Sequence, residues 1–311
     1  VTKMAAENVQ VLRQPVSGPP DADAAKPVDQ ATAEPLTWPR SPIAVTVEGM
    51  TLTGVHIAGG VLGPSPLTFD ASGRFEDKGY LQALVLALDR TDKVSGTIRF
   101  DYARDFAAER LRLSLNAQEA PGGVVAELAG LPPDAAAEVQ LQGEAPIADW
   151  KANLLARIDD IGRVEGSVGM ASIQPLSLTL AVRVGAQGRM LQAGGPWLAD
   201  PVDLHADLTV GDDSVLTLRQ LEVDSTFGSI RAAGTMDTVS GQIGATAAVD
   251  VPHLGPPALT AGTIGGLRFD GRLGGTLDQL KGSGRFTVAS LSADAITAAG
   301  LAMEGHVALA G

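Results

Sequence analysis

"VQLQGEAPIADWKANLLARI", residues 139–158, decides the fold. Val139 and Leu141 fall on one side of an extended chain, with Gln140 and Gln142 on the other. After a turn, Trp150, Ala152, Leu154, Ala156 and Ile158 share a side. Lys151, Asn153, Arg157 and Asp159 occupy the opposite one, with Leu155 the exception. A period of two marks a strand with one apolar face.

The same alternation runs outward from there. Leu111, Leu113 and Leu115 lie opposite Arg112, Ser114 and Asn116. Leu176, Leu178, Leu180, Val182 and Val184 lie opposite Ser177, Thr179 and Arg183. Leu204 and Leu208 alternate with Asp203, His205 and Asp207, and Leu267 and Phe269 with Arg268 and Asp270. From Ile43 onward strand follows strand, including "IAVTVEG", "MTLTGVHI" and "YLQALVLAL", with Gly, Asp, Asn and Pro between many of the runs.

Helical spacing stands out in one place. "APGGVVAELAGLPP" sets Val124, Val125, Leu128 and Leu131 on one stripe, and Gly130, Pro132 and Pro133 end it. A short helix is expected near residues 122–130, and "GAQGRMLQAGGPWL" is read as a further single turn. Three stretches, "PIADWKA" from Pro146, "TMDTVSG" from Thr235 and "TLDQLKG" from Thr276, share a polar turn that feeds a strand. Their unequal spacing excludes a fixed-period solenoid and suggests reuse of a hairpin.

An antiparallel sheet with one wet face must cover the other. Roughly 16 strands at about 4.8 Å would give a sheet about 75 Å wide, too wide to stay flat. The expectation is an all-β fold: a long antiparallel sheet curled into an elongated open groove with a hydrophobic lumen. Residues 1–14 read as the end of an upstream strand region and 15–42, with seven prolines, as a loop or linker. Residues 43–311 read as one continuous β-groove. The chain opens in mid-pattern at "ENVQVLRQP" without an initiator Met, so it is read as a piece of a longer protein.

Composition narrows the function. A net charge of -13 over 311 residues argues against nucleic acid and against basic adhesion to anionic membranes. The chain has no cysteine, hence no disulfide, thiol catalysis or Cys-ligated metal. No apolar run reaches the length of a membrane-spanning helix. The four histidines follow no H-E-x-x-H pattern, and "GGLRFDGRLGG" has no G-K-[ST]. The acids in "RTDK", "ARDF", "IDDIG" and "VGDDS" fit turn chemistry better than a catalytic dyad. Asp203, His205 and Asp207 share a strand face where a metal could bind, but simple alternation accounts for each of them. No enzyme and no cofactor are indicated.

The segment from Arg99 to Ile158 resembles the TamB family, the inner-membrane subunits of the translocation and assembly module within the AsmA-like group. The resemblance rests on paired strands, the "PGGVVAELAGLP" helix, an alternating strand, and the "GEAPIADW" turn into the next strand. "NVQVLRQP" before a Pro-rich loop and "LTLRQLEVDSTFGSIRAAGTMD" fit as well, and residues 98–171 are the distinctive part. The resemblance implies a periplasmic β-groove, anchored in the inner membrane upstream of this piece, that moves phospholipid between membranes and supports outer-membrane assembly. It also implies an outer-membrane barrel partner of the TamA type, met through a region this chain lacks. Leu111, Leu113, Leu115, Val139, Leu141, Trp150, Leu154, Ile158, Leu176, Leu178, Leu180, Leu204, Leu208, Leu267 and Phe269 would then line a lipid groove. Trp150 could equally pack a dry core. The alternative function is a structural or chaperone-like β scaffold whose apolar faces seal one another, without lipid transfer.

Overall fold

The computed structural model describes residues 3–11, 44–59, 65–124, 132, 134–173, 175–194, 199–211, 214–254, 262–276, 279–293 and 296–310. The expected loop at 15–42 lies outside them. The chain forms two compact units, Val1–Asp159 and Asp160–Gly311.

In the first unit, β1 (Lys3–Glu7) and β2 (Gln10–Val11) run parallel to β3 (Val45–Ile57). An antiparallel meander follows: β4 (Leu67–Asp77), β5 (Leu81–Arg90), β6 (Gly96–Asp105), β7 (Arg110–Glu119), β8 (Ala137–Pro146) and β9 (Trp150–Ile158). The second unit is a meander throughout. It runs β10 (Gly162–Ile173), β11 (Leu176–Ala186), β12 (Val202–Val210), β13 (Val215–Ser225) and β14 (Gly228–Asp237). It continues with β15 (Gln242–Leu254), β16 (Thr263–Thr276), β17 (Gln279–Ala293) and β18 (Ile296–Ala310). Among the described residues β10 and β18 share no register, so this sheet stays open. The all-β, open antiparallel fold read from the alternation is what the chain adopts.

The turns use their acids as backbone caps. Asp105 accepts the N–H groups of Ala107 and Ala108 at 2.9 Å, and Glu109 then takes φ +50. Asp237 accepts those of Val239 and Ser240 before Gly241 at φ +69. The "IADW" turn is a 3₁₀ turn, Ile147–Asp149, joining β8 to β9. The reused hairpin motifs thus join neighbouring strands at β8–β9, β14–β15 and β16–β17.

One detail differs from the sequence reading. "IAVTVEG" and "MTLTGVHI" form one strand, β3, because its glycines serve irregularities of register rather than a chain reversal. The register shifts between Val47 and Met50 and again between Leu52 and Val55. At the second shift Gly54 takes φ +65 and donates its N–H to Asp70 Oδ1 at 2.8 Å. The helix that is described is α1 (Gly188–Gly194), inside the "GAQGRMLQAGGPWL" stretch. Of the helix expected near 122–130, Gly122 lies in a turn and Val124 is helical, while 125–130 fall outside the described residues.

Candidate functional site

Register places the apolar side chains of the first unit in ladders across its strands. One ladder runs Leu88, Ile98, Ala117, Val139 and Ala156. The next runs Leu86, Phe100, Leu115, Leu141 and Leu154, and a third Leu84, Tyr102, Leu113 and Gly143. Leu111, Leu113, Leu115, Val139, Leu141 and Leu154 therefore share one face, and Ile158 joins them opposite Ala137. The face holds an apolar depression of about 260 Å³ lined by Ile57, Leu67, Phe69, Leu88, Ile98 and Val139, among others.

Trp150 occupies that face differently from an open lining residue. It is only 4% exposed, and its indole Nε1 donates to the Leu111 carbonyl oxygen at 3.1 Å. The ring reaches past β8 to the backbone of β7.

Polar groups border the apolar ladders of this unit. Arg90 donates to Asp92 at 2.8 Å and to Glu119, and the Arg90 and Glu119 side chains are 13% and 11% exposed. Asp92 also accepts the N–H groups of Val94 and Thr68. Burial pushes the Asp92 carboxyl up, but the hydrogen bonds from Arg90 and the two N–H groups outweigh it and hold the pKa below the ordinary value. At the far end of the same face Gln82 donates to buried Asp77 at 3.0 Å. Burial raises the pKa of the Tyr102 hydroxyl.

The second unit carries the longer apolar surface. Val182, Leu204, Val223, Ile230, Val249, Phe269, Phe286 and Met303 form one ladder from β11 to β18. Beside it run Leu180, Ala206, Leu221, Ala232, Ala247, Gly271, Gly284 and Gly305. A third begins Leu178, Leu208, Leu218, and a fourth Leu176, Val210, Leu216. Leu267 extends the face beside Val251 and Val288. None of these positions bears a charge. The surface is open over β14–β18, where Ile230 is 42% exposed, Leu301 45% and Met303 66%, while Val182 on β11 and Val288 on β17 are buried.

An apolar depression of about 490 Å³ lies over β14–β18. Its shape follows from side-chain size. Phe269 leans over the glycine pair beside it, so a Cβ at Gly271 or Gly284 would stand 2.5 Å from the ring. Phe286 and Met303 wall it on one side and Leu273 on the other.

The opposite faces are wet and paired across strands. Arg183 meets Asp203 at 2.8 Å, Arg231 meets Glu222 at 2.7 Å, and Arg112 meets Asp101 at 3.1 Å. These pairs are exposed, so each adds little stability. The hydrogen bond from Arg183 lowers the Asp203 pKa. Asp203 is thereby engaged, and His205 Nε2 lies 3.6 Å from Asp207. Among the described residues no group of three His, Asp or Glu is placed to hold a metal.

Sequence reasoning missed the lumen contribution of β5 and β6. In "YLQALVLAL" both parities are apolar, so Leu84, Leu86 and Leu88 could not be separated from Ala83, Val85 and Ala87 without the register. It also missed the Arg90–Asp92–Glu119 cluster, whose members lie on different turns and strands. No known protein family, curated protein or solved structure matches the chain.

Proposed function

We propose that this chain is a segment of a lipid-shielding bridge of the TamB, AsmA-like kind, and that it performs no catalysis. Its apolar sheet face would hold phospholipid acyl chains while the headgroups remain in water. The single observation that supports this reading is the uncharged apolar surface across eight strands of the second unit, with exposed residues on β14, β16 and β18. Monomeric proteins rarely leave so much contiguous apolar surface open without a partner for it. Each methylene removed from water gains about 0.8 kcal/mol, so about ten on such a face would gain roughly 8 kcal/mol before ordering costs. Because the ladders repeat from strand to strand, neighbouring positions would hold a chain about equally well, as movement along the sheet requires.

In this reading the protein works in the periplasm, with an inner-membrane anchor and a TamA-type barrel partner outside this piece. It moves phospholipid between the membranes and supports outer-membrane assembly. The first unit favours the second reading, a scaffold without lipid transfer, because Val55, Ile57, Leu67, Ala71, Trp150 and Ala152 are buried there.

Mass spectrometry of organic extracts from the purified chain tests the proposal. Phospholipid should be retained by the wild type and depleted by Leu178→Asp but not by Thr179→Asp. A lipid-free wild type, or equal retention by both variants, would remove the lipid reading and leave the scaffold.

A further inference from the structure

The wet face of the second unit carries a second concavity, and its chemistry is the reverse of the first. An open depression of about 760 Å³ lies over β13–β18, bordered by Arg219, Arg231, Arg272 and Arg285, with Asp270 and Glu304 the acids among its lining. Arginine exceeds acid there by two charges, on a chain whose net charge is -13.

The backbone builds this arrangement. The register of β13 shifts between Leu218 and Leu221, and against β12 Arg219 is the extra residue, since Leu208 pairs Leu218 and Asp207 pairs Gln220. A bulge of this kind re-aims a side chain that regular pairing would fix. Arg272 stands on β16, three strands from β13, at about 14 Å by ordinary strand spacing. Between them the facing residues are Ala233 and Thr246, opposite one another and both short. Thr246 donates its hydroxyl to the Ala233 carbonyl at 3.4 Å, keeping it low on the floor.

The cations differ in their engagement. Arg231 is held by Glu222 at 2.7 Å, and Arg285 reaches Glu304 only at 4.0 Å. Arg219 and Arg272 make no ion pair or hydrogen bond among the described residues, and both are exposed. Elsewhere on the same face arginine is paired across strands, as in Arg183–Asp203 and Arg268–Asp250.

We infer that Arg219 and Arg272, with Arg285 beside them, form a binding site for a phosphate group. The guanidinium fork matches phosphate oxygens two at a time, and two forks facing across a short-residue floor leave room for one such group. Asp270 lies on one flank, and Arg285, its register partner, offsets its charge. The phosphate can come from a free anion or from a lipid headgroup. This site lies on the wet face and does not depend on what covers the apolar face.

The test is calorimetric titration of the purified chain with inorganic phosphate, beside flotation with phosphatidylglycerol vesicles. Arg219→Gln combined with Arg272→Gln should weaken binding by roughly tenfold or more, as loss of charge-assisted bonds does. Ala233→Glu, which fills the floor with a carboxylate, should do the same with the arginines intact. Arg268→Gln, on the same face but paired with Asp250, should bind as the wild type does. Saturable binding of inorganic phosphate assigns a free anion as the source. Binding to vesicles alone, lost in the double variant, assigns the headgroup. Wild-type chain that binds neither probe, a double variant that binds normally, or equal loss in Arg268→Gln overturns the site.

Discussion

The indole N–H of Trp150 reaches the carbonyl oxygen of Leu111, 3.1 Å away and 39 residues earlier in the chain. One side chain thereby ties β9 to β7 across the intervening strand. Trp150→Phe keeps most of the ring but deletes the donor, and should cost about 1 kcal/mol in urea unfolding. Trp150→Ala also leaves a void and should cost about 3–5 kcal/mol. If the two variants unfold at the wild-type midpoint, the ring is not structural.

A one-residue step along a strand reverses the face, which gives the lumen a stringent control. Photocrosslinkers at Leu178 and Phe269, in lipid-containing membranes, should capture lipid. Probes at Thr179 and Arg268 should not. Equal capture from both parities would mean that the apolar face has no special access to lipid.

Asp92 supplies a pH dependence. Its folded pKa lies below the ordinary carboxyl value of about 3.9, so its stabilisation is complete above about pH 5 and is lost as pH falls through the ordinary and then the folded value. Thermal midpoints measured between pH 3 and pH 7 should therefore fall on the acid side. Asp92→Asn should flatten that fall while lowering the midpoint at neutral pH. An unchanged acid slope would show that other carboxylates govern it.

Phe269 and Gly284 are complementary in volume. Gly284→Ala places a methyl within 2.5 Å of the Phe269 ring and should destabilise by about 1–3 kcal/mol. Phe269→Leu withdraws the ring, so the double variant should recover part of that loss. Strictly additive effects would mean that the ring moves aside freely.

The strands were legible because alternation is strong wherever one face is wet: Leu113 between Arg112 and Ser114 needs no register to be placed. β5 was illegible in this respect because Ala83, Val85 and Ala87 make its second face apolar too. The burial of Trp150 could not be read from its parity, since only the three-dimensional path puts the Leu111 carbonyl under its indole. Arg219 was hidden for the opposite reason. A bulge breaks the period of two, so counting residues along "VLTLRQLEV" says nothing about where its side chain is aimed.

The meander has a consequence for how such a chain changes length. Within the stretch from β10 to β18 consecutive strands pair with one another, so among the described residues none of these pairings depends on a distant segment. Duplicating or deleting a whole hairpin would lengthen or shorten the sheet by two strand spacings, about 9.6 Å, and leave the remaining registers intact. A single-residue insertion within a strand, by contrast, would either bulge or invert every side chain beyond it. The architecture thus takes insertions in steps of two strands without disturbing other registers, whereas a small one needs a local bulge such as that at Arg219. The recurrence of one turn motif at Pro146, Thr235 and Thr276 is what growth by such steps would leave behind.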